Sequence, residues 1–540
     1  MLRWMLTALC VLLALPVLGV LGAWLAFDAA ALAVLKHQAQ TVLPGYVGQS
    51  LALALGVGVG VVLLGTATAA AVTLFDFPGR RHFEWALLLP MAMPAYVLAY
   101  AWTDALQFAS PLHQALRDML GVRGALWPDV RGLGGAVLLF VLCLYPYVYL
   151  LTRAALGERA VQLMEAARLL GADLRRRVLE VALPLARPAV AAGLALALME
   201  TLADYGVGSY FGLSTFSTGI YKAWLAMNDR VAAAQLATIL LAVVALLLWV
   251  ERSAQRRLRF ATSRGGLAGA TSAAEARPVV LRGAARWAVW ALCATPVLLG
   301  FALPVAWLAY ILWQEALHAE LGLPLARFAG WAWASLRLAT VAALISTALA
   351  LALGFVLRQK RAPVLHGAAR VLSLGYAVPG AVIAVGVLLP MGWLQAQFPD
   401  VAISALVTGT AFGVLYAYVA RFSAVALQSV EAGYTRLPLS IDESARMLGG
   451  SARRLFFKLH LPLLHRSAIA AALLVFVDVM KELPATLVLR PFGSDTLAVV
   501  AYNFARDERL AEAALPSLAI VAVGLIPVLL LSRAMRAPSA

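Results

Sequence analysis

The sequence predicts an all-α protein that crosses a membrane about twelve times, with its helices organised as two parallel repeats of six. Hydrophobic residues make up 63% of the 540 residues and charged residues only 13%, and the second half of the chain repeats motifs of the first. Soluble globular proteins carry about 25% charged residues. The composition therefore excludes an ordinary soluble enzyme, a disordered protein and a secreted disulfide-rich domain.

Ten apolar segments without Asp, Glu, Lys or Arg are long enough to cross a membrane, which takes about 20 residues in a helix. They are Trp4–Phe27, Leu51–Phe75, Trp85–Thr103, Leu133–Thr152, Val231–Val250, Trp287–Trp313, Leu338–Leu357, Val371–Phe398, Val401–Ala420 and Ala513–Ser532. Two further candidates, near 186–207 and 465–489, are apolar but contain acids. The first segment is longer than the apolar core of a signal peptide, about 7–15 residues, and is interpreted as a retained span.

The basic residues predict the orientation of these spans. With the N-terminus inside, 31 of the 43 Lys and Arg residues fall in inner loops and ten in outer loops. Because Lys and Arg accumulate in cytoplasmic loops, both termini are predicted to be cytoplasmic. This distribution also accounts for the net charge of +16 without nucleic acid. The three cysteines are dispersed in apolar segments and match neither a disulfide framework nor a metal site.

Short motifs recur along the chain at nearly constant offsets. The segments around Pro94 and Pro379 lie 285 residues apart, and those that begin at Glu165 and Glu443 lie 278 apart. Six spans is an even number, so both halves enter the membrane in the same sense and form a parallel repeat. The predicted division is a first half over 1–250, a cytoplasmic linker over 251–286 and a second half over 287–540.

The two long cytoplasmic loops share one motif. In each, a glycine follows a glutamate after six residues, and a Leu-Pro pair ends nineteen residues after the glutamate. The segment before Gly171 favours a helix, which a glycine with positive φ can end. Pro184 suits the first turn of the next helix because it has no N–H to satisfy. A solvated basic loop would explain one such segment, but its recurrence at identical spacing favours a functional element.

The motif resembles the EAA loop of permease subunits in binding-protein-dependent ABC importers. The matching residues of the first loop are Glu165, Ala166, Ala167, Gly171, Val181, Leu183 and Pro184. Those of the second loop are Glu443, Ala445, Gly449, Leu459, Leu461 and Pro462, with Ser444 in place of the central alanine. The resemblance extends over the whole chain, since ferric-iron permeases of this class are two fused six-span halves of the type I importer fold.

The resemblance implies partners and a location. Each loop would be a coupling helix that docks on an ABC ATPase subunit through Glu165 or Glu443, so two ATPase copies are expected. A periplasmic binding protein would deliver substrate, and the chain would lie in the lipid of a bacterial inner membrane. None of the five lysines follows a glycine, so no Gly-Lys-[Ser/Thr] phosphate loop is present. We therefore expect no catalytic residue and no bound cofactor here, with ATP used by the partner.

Acidic residues interrupt two of the spans. Glu200 and Asp204 lie four residues apart after the first loop, as do Asp478 and Glu482 after the second. Residues four apart share a helix face, and ionisable groups in spans usually face the bundle interior or a water-filled path. One interpretation is a translocation path for a cationic substrate, lined by up to four carboxylates beside Lys481. The alternative is that the acids cap the outer helix ends. No metal site is assigned.

The substrate is indicated by resemblance alone. The segments Glu200–Gly206, Lys481–Thr486 and Arg490–Gly493 resemble those of ferric-iron permeases. A permease for thiamine or another small solute is the alternative. An ion-coupled major-facilitator-like transporter also has six plus six spans, and residues 76–81 faintly resemble its loop motif. That class does not account for the two duplicated loops.

Overall fold

The computed structural model describes residues 2–26, 28–157, 161–263, 279–318, 323–359, 363–435 and 437–536. Residues 264–278 of the predicted linker lie outside this part of the chain. Most of the described residues are helical. Two short strands among them, β1 (Phe75–Asp76) and β2 (Val279–Val280), pair in parallel. The all-α fold class predicted from the sequence is confirmed.

The helices of the N-terminal part are α1 (Leu2–Gly22), α2 (Ala29–Gln40), α3 (Leu43–Leu74), α4 (Arg80–Ala86), α5 (Ala95–Leu106), α6 (Pro111–Leu120), α7 (Leu133–Ala155), α8 (Val161–Leu169), α9 (Leu174–Arg176), α10 (Leu183–Ala203), α11 (Gly206–Tyr210), α12 (Phe216–Tyr221) and α13 (Arg230–Ser263). Those of the C-terminal part are α14 (Ala284–Val297), α15 (Leu303–His318), α16 (Leu325–Gln359), α17 (Pro363–Leu372), α18 (Gly380–Gln397), α19 (Ile403–Thr408), α20 (Phe412–Tyr434), α21 (Leu439–Met447), α22 (Ala452–Leu455), α23 (Leu461–Met480), α24 (Pro484–Leu489), α25 (Leu497–Arg506) and α26 (Leu510–Arg536).

Short 3₁₀ and π turns extend or join several of these helices. The 3₁₀ turns are Ala23–Ala26, Leu89–Ala92 and Gly375–Ala377, and the π turns are Arg177–Ala182, Lys222–Ala226, Leu298–Ala302 and Phe456–His460. Among the described residues, eleven helical segments are long and apolar enough to cross a membrane, or up to twelve if one bent pair forms a single span. This agrees with the predicted number.

The apolar surface of α3 fits lipid rather than water. Leu51, Leu55, Val59 and Leu63, each four residues from the next, are 55%, 60%, 60% and 66% exposed. A continuous apolar stripe of this kind marks a membrane or partner contact. Large tryptophans are also exposed near the ends of the long helices, as is common at membrane interfaces. They include Trp4, Trp249, Trp313, Trp333 and Trp393.

Prolines break two of the predicted spans. The predicted span Trp85–Thr103 is not one straight helix, because the segments Arg80–Ala92 and Ala95–Leu120 meet at an angle of 90°. Pro94 fixes its own φ at −60° and forces the preceding residue into an extended conformation. Pro379 breaks the chain before α18 in the same way, so the predicted span Val371–Phe398 is not one helix: α17 ends at Leu372 and α18 begins at Gly380.

Packing groups the chain into two compact units. One unit comprises the described residues of Met1–Thr41, Gly219–Leu241 and Leu323–Asn503, and in it α16 packs on α20 and α23. The other comprises those of Val42–Thr218, Ala242–Gly322 and Phe504–Ala540, and in it α3 packs on α7 and α10. Each unit is thus built around the helices of one half of the repeat. The division at 1–250, 251–286 and 287–540, which follows the repeat in the sequence, remains a prediction.

Each unit also includes helices from the other half of the sequence. In the first unit α1 packs on α17 and α18. A Cβ added at Gly386 of α18 would lie only 1.9 Å from the carbonyl oxygen of Pro16, so the two backbones approach closely. In the second unit α15 packs on α26 and α5. Segment exchange of this kind depends on tertiary packing and leaves no local pattern in the sequence.

Candidate functional site: two duplicated loops

The first EAA loop folds as helix α8 followed by a glycine turn. The N–H of Gly171 donates to the carbonyl of Arg168 at 3.0 Å, and that of Ala172 donates to the carbonyl of Ala167 at 3.0 Å. Gly171 has a φ of +83°, which residues with a Cβ rarely adopt. The Asp173 Oδ1 then accepts the N–H of Arg176 at 3.1 Å and caps the next helical segment.

The second EAA loop has the same construction 278 residues later. Helix α21 ends at Met447 and is followed by Gly449, whose φ is +76° and whose N–H donates to the carbonyl of Arg446 at 2.9 Å. The Ser451 Oγ accepts the N–H of Arg454 at 3.3 Å, as Asp173 does in the first loop. The helix and positive-φ glycine predicted for each loop are therefore both present.

The helix after each turn begins earlier than Pro184 and Pro462 indicated. A continuous helical segment runs from Leu174 to Ala203, and another from Ala452 to Met480. Just before each proline the helix widens into a π turn, in which the N–H of Leu183 donates to Val178 and that of Leu461 to Phe456. Proline has no N–H to donate to the preceding turn, and the π turn lets the helix continue past it. Each loop is therefore continuous with a membrane span.

The outer faces of α8 and α21 are alike. Glu165 and Glu443 are exposed at equivalent positions, and Ala166 and Ser444 beside them are exposed as well. Each helix then presents two large apolar side chains. Leu169 and Leu170 are 89% and 88% exposed, and Met447 and Leu448 are 89% and 86% exposed. Exposed large apolar side chains that lie together in this way mark a contact with a partner or with lipid.

The inner face of α8 packs into an apolar cluster. Met164 is 5% exposed and lies with Leu74, Leu156, Ala182 and neighbouring side chains of α3, α7 and α10. Helix α8 is thus held to its unit by apolar contacts.

The inner face of α21 packs on a buried polar network instead. The Asp442 Oδ2 accepts a hydrogen bond from the Nε of Arg358 at 2.7 Å, and its Oδ1 lies 3.0 Å from the Nε2 of His460. The Nδ1 of His460 lies 3.0 Å from the hydroxyl of Tyr434. The side chains of Arg358, Asp442 and His460 are 9%, 7% and 1% exposed.

Sequence reasoning missed this network. Aligning the two halves at the offset of 278 would have found it, because Asp442 takes the place of Met164 and His460 that of Ala182. Arg358 was noticed only as part of a basic loop. The signal for such a network is a charged residue in one copy of the repeat where the other copy has an apolar residue.

The acids after the first loop do not share a helix face. Helix α10 ends at Ala203, and Asp204 is extended, with φ −69° and ψ 133°. The Asp204 Oδ1 accepts the N–H of Val207 at 2.8 Å, at the start of α11. Glu200 lies half-buried in the last turn of α10. The shared face predicted from their spacing is therefore wrong, because the helix stops between them.

The acids after the second loop are both ion-paired. Asp478 lies 3.0 Å from the Nζ of Lys481, the neighbour anticipated from the sequence. Glu482, two residues beyond the end of α23, accepts a hydrogen bond from Arg421 Nη1 at 3.1 Å. Its carboxylate also accepts the N–H groups of Ala485 and Thr486, at 2.9 and 3.0 Å. Asp204 and Glu482 thus both accept backbone N–H groups where a short helix begins. Glu482 caps that helix as a buried group, not as one wetted at an outer helix end, and whether the four acids line a path or cap helices remains a prediction.

Arg421 is a second residue that sequence reasoning misplaced. The predicted span Val401–Ala420 stops just before it, but Arg421 lies within α20, and its side chain is 11% exposed against 2% for that of Glu482. The first half carries Cys143 at the equivalent position, 278 residues earlier. In the described residues, no group of three or more His, Cys, Asp or Glu side chains could hold a metal ion.

Comparison with known proteins shows what the chain is similar to. The family of binding-protein-dependent transport system inner membrane components matches residues 61–260, which include the first EAA loop. The Fe(3+)-transport system permease protein FbpB 2 of Haemophilus influenzae is 24% identical over 462 residues, covering 85% of this chain and 84% of that relative. The ferric transport system permease protein FbpB of Actinobacillus pleuropneumoniae is 23% identical, covering 78% of this chain and 61% of that relative.

A shorter relative covers part of the chain. The molybdenum transport system permease protein ModB of Escherichia coli K12 is 28% identical over 192 residues, which is 34% of this chain and 81% of that relative. The family match, the apolar spans and the EAA loops agree with one another. Residues 61–260 thus match the family of binding-protein-dependent transport system inner membrane components, and most of the chain is similar to permeases named for ferric-iron transport.

Proposed function

We propose that the chain is the permease subunit of an ABC importer that moves ferric iron into the cytoplasm by alternating access, driven by a separate ATPase. The observation that carries the proposal is the pair of EAA loops, which have the same fold and are each continuous with a membrane span. A movement of either loop would therefore displace a span directly. ATP binding by the partner would draw the loops between two positions and so switch the path.

The docking surface for the ATPase is the outer face of α8 and α21. Glu165 and Glu443 offer one carboxylate each, and Leu169, Leu170, Met447 and Leu448 supply the apolar contact. Ala166, Ala167 and Ala445 keep the helix surface narrow enough for a cleft. Gly171 and Gly449 set the turn, and Pro184 and Pro462 lie where each helix enters its span. Two equivalent faces call for two copies of the ATPase.

The remaining partners follow from the same class. A periplasmic binding protein would deliver substrate to the outer loops 105–131, 208–230 and 490–512. Both termini would lie in the cytoplasm, in a bacterial inner membrane. The chain itself would bind no cofactor and catalyse no reaction, since ATP would be hydrolysed on the partner subunit.

Ferric iron is proposed because relatives named for Fe(3+) and ferric transport align over 85% and 78% of the chain. The carboxylates Glu200, Asp204, Asp478 and Glu482 would be the polar groups of the path, with Glu482 held by its ion pair. A permease for another small solute is the second candidate. It is favoured by relatives named for molybdenum and 2-aminoethylphosphonate transport, which align over shorter segments.

Uptake in cells tests the function. We expect cells with the intact chain to accumulate radioactive ferric citrate, and a deletion strain not to. Uptake that stops when ATP is depleted but continues when the proton gradient is abolished would support the ABC class. Uptake that follows the gradient alone would contradict it. If growth depended on the chain and on ATP but no iron entered the cells, the substrate would be another solute.

The docking surface is tested by Glu165→Ala combined with Glu443→Ala. We expect this variant to insert normally, to lose the ATPase subunits on purification and to take up no iron. Glu180→Ala is the matched control, because Glu180 is an exposed carboxylate near the first loop that pairs only locally with Arg176 at 2.8 Å. Normal uptake by the double variant would refute the docking assignment.

A further inference from the structure

The two coupling helices are anchored to their units by different chemistry at equivalent positions. Leu156, Met164 and Ala182 of the apolar cluster correspond, at the offset of 278, to Tyr434, Asp442 and His460 of the polar network. The outer faces of the two loops are nearly identical. The difference between the halves is therefore confined to the side that faces the membrane helices.

The network has one consistent arrangement of protons. The Tyr434 hydroxyl donates to Nδ1 of a neutral His460, whose Nε2–H donates to the Asp442 carboxylate. The guanidinium of Arg358 donates to the other carboxylate oxygen. Every polar atom in this series then has a partner and the charges cancel, as burial demands.

Arg358 joins three helices in this network. It lies at the end of α16, donates to Asp442 of α21 and also donates to the last backbone carbonyl of α20 and to two carbonyls of the connection between α20 and α21. These acceptors are Tyr434 at 3.3 Å, Leu437 at 3.0 Å and Pro438 at 2.9 Å. A cation that satisfies the last carbonyls of a helix is favoured by the helix dipole. The carboxylate of α21 is thus tied to α16 through directional bonds.

Stability alone does not account for this arrangement. Buried ion pairs are often replaced by apolar side chains of similar volume without loss of stability, and the first half already shows an apolar version of the same site. Apolar contacts are non-directional, so packed helices can slide over them. Hydrogen bonds of fixed length between Asp442, Arg358 and His460 resist sliding, so α21 and the end of α16 move together.

We propose that Arg358, Asp442 and His460 are positioning residues that make the second EAA loop a rigid link to span α16, and that the two loops are therefore not mechanically equivalent. This inference rests on the proposed function, in which the loops receive the movement of the ATPase. The second half would transmit that movement directly to α16. In the first half the movement would pass only to the span that continues from the loop, while α8 slides over its apolar cluster.

The test copies the apolar chemistry of the first half into the second. The variant carries Arg358→Thr, Tyr434→Leu, Asp442→Met and His460→Ala. Thr73 matches Arg358 at the offset of 285 that relates α3 to α16, and Leu156, Met164 and Ala182 match the other three residues at the offset of 278. We expect it to insert, and to purify from host membranes with as much bound ATPase as the intact chain. We expect uptake of radioactive ferric citrate to fall by roughly tenfold, a factor typical of the coupling between two sites. ATP hydrolysis by the purified complex should persist.

Two further variants complete the design. Asp442→Asn keeps the shape of the site but removes its charge, and we expect the same separation of ATP hydrolysis from uptake. Leu156→Met, a volume-conserving change in the apolar cluster, is the matched control and should leave uptake unchanged.

The outcomes separate this inference from the proposed function. Uptake within about twofold of the intact chain in the four-residue variant would overturn the inference, because the network would then only stabilise the fold. Loss of the ATPase from both network variants would also overturn it, since the residues would then serve docking. If the intact chain itself bound no ATPase or took up no iron, the proposed function would fail instead.

Discussion

Single positions in the two halves carry different chemistry where the backbone is the same. Asp204 and Glu482 both accept N–H groups at the start of a short helix. Only Glu482 has an arginine beside it, because the position of Arg421 is occupied by Cys143 in the first half. A carboxylate that is 2% exposed needs a compensating charge in addition to hydrogen bonds.

We expect Arg421→Met to destabilise the protein by about 3–5 kcal/mol, since it leaves the Glu482 carboxylate buried without a cation. Thermal unfolding of the purified protein in detergent measures the effect. Adding Glu482→Gln should restore most of the lost stability. A double variant that is stable but transports nothing would place Glu482 in the path. A double variant with full transport would show that Glu482 only caps the helix. A stable single variant would contradict the role of the ion pair.

Glycine is required at the two loop turns because of the backbone conformation, and not because a side chain would clash there. A Cβ at Gly171 or Gly449 would meet nothing within 4 Å, yet both residues have positive φ. We therefore expect Gly171→Ala or Gly449→Ala to cost about 1 kcal/mol and to weaken ATPase binding. Asn tolerates positive φ better than Ala. Binding by the Asn variants should exceed that by the Ala variants, and the reverse order would contradict the turn argument.

The helices show where local pattern was sufficient and where it was not. Apolar length predicted the membrane helices, and the Glu-to-Gly spacing predicted α8 and α21. The ends of α10 and α23 were placed too late, at 207 and 489 instead of Ala203 and Met480. Apolar residues continue past both ends, so composition carries no stop signal there. The capping contacts that begin α11 and α24 depend on the folded chain.

The acids in the last turns of α10 and α23 allow a test of whether these two helices line the path. We expect Glu200→Gln combined with Asp478→Asn to reduce iron uptake by at least roughly tenfold without releasing the ATPase, because carboxylates in a span are costly and usually functional. Uptake assays and ATPase co-purification measure the two effects. Asp173→Asn, at an exposed cap of the first loop, is a control that keeps a capping side chain. Unchanged uptake in the double variant would favour a purely structural role.

The orientation of the whole molecule is tested by cysteine labelling. The native residues Cys10, Cys143 and Cys293 are all buried, so the intact chain should react little with a membrane-impermeant maleimide. Met447 is 89% exposed on the second EAA loop, and Phe492 is fully exposed in a predicted outer loop. We expect Phe492→Cys to be labelled in spheroplasts and Met447→Cys only after permeabilisation. The opposite result would reverse the predicted topology.

The sequence by itself determined the class of the molecule. Apolar segments of sufficient length, the inner excess of basic residues and the duplicated EAA motif are local features, and local features can be read residue by residue. Tertiary structure decided which segments pack together, as when α1 joins the helices of the second half. It also decided that Arg421 pairs with Glu482 and that Arg358, Asp442 and His460 meet beneath the second loop. These partners are far apart in the chain, and only the packing of the helices that carry them brings their charges within hydrogen-bonding distance.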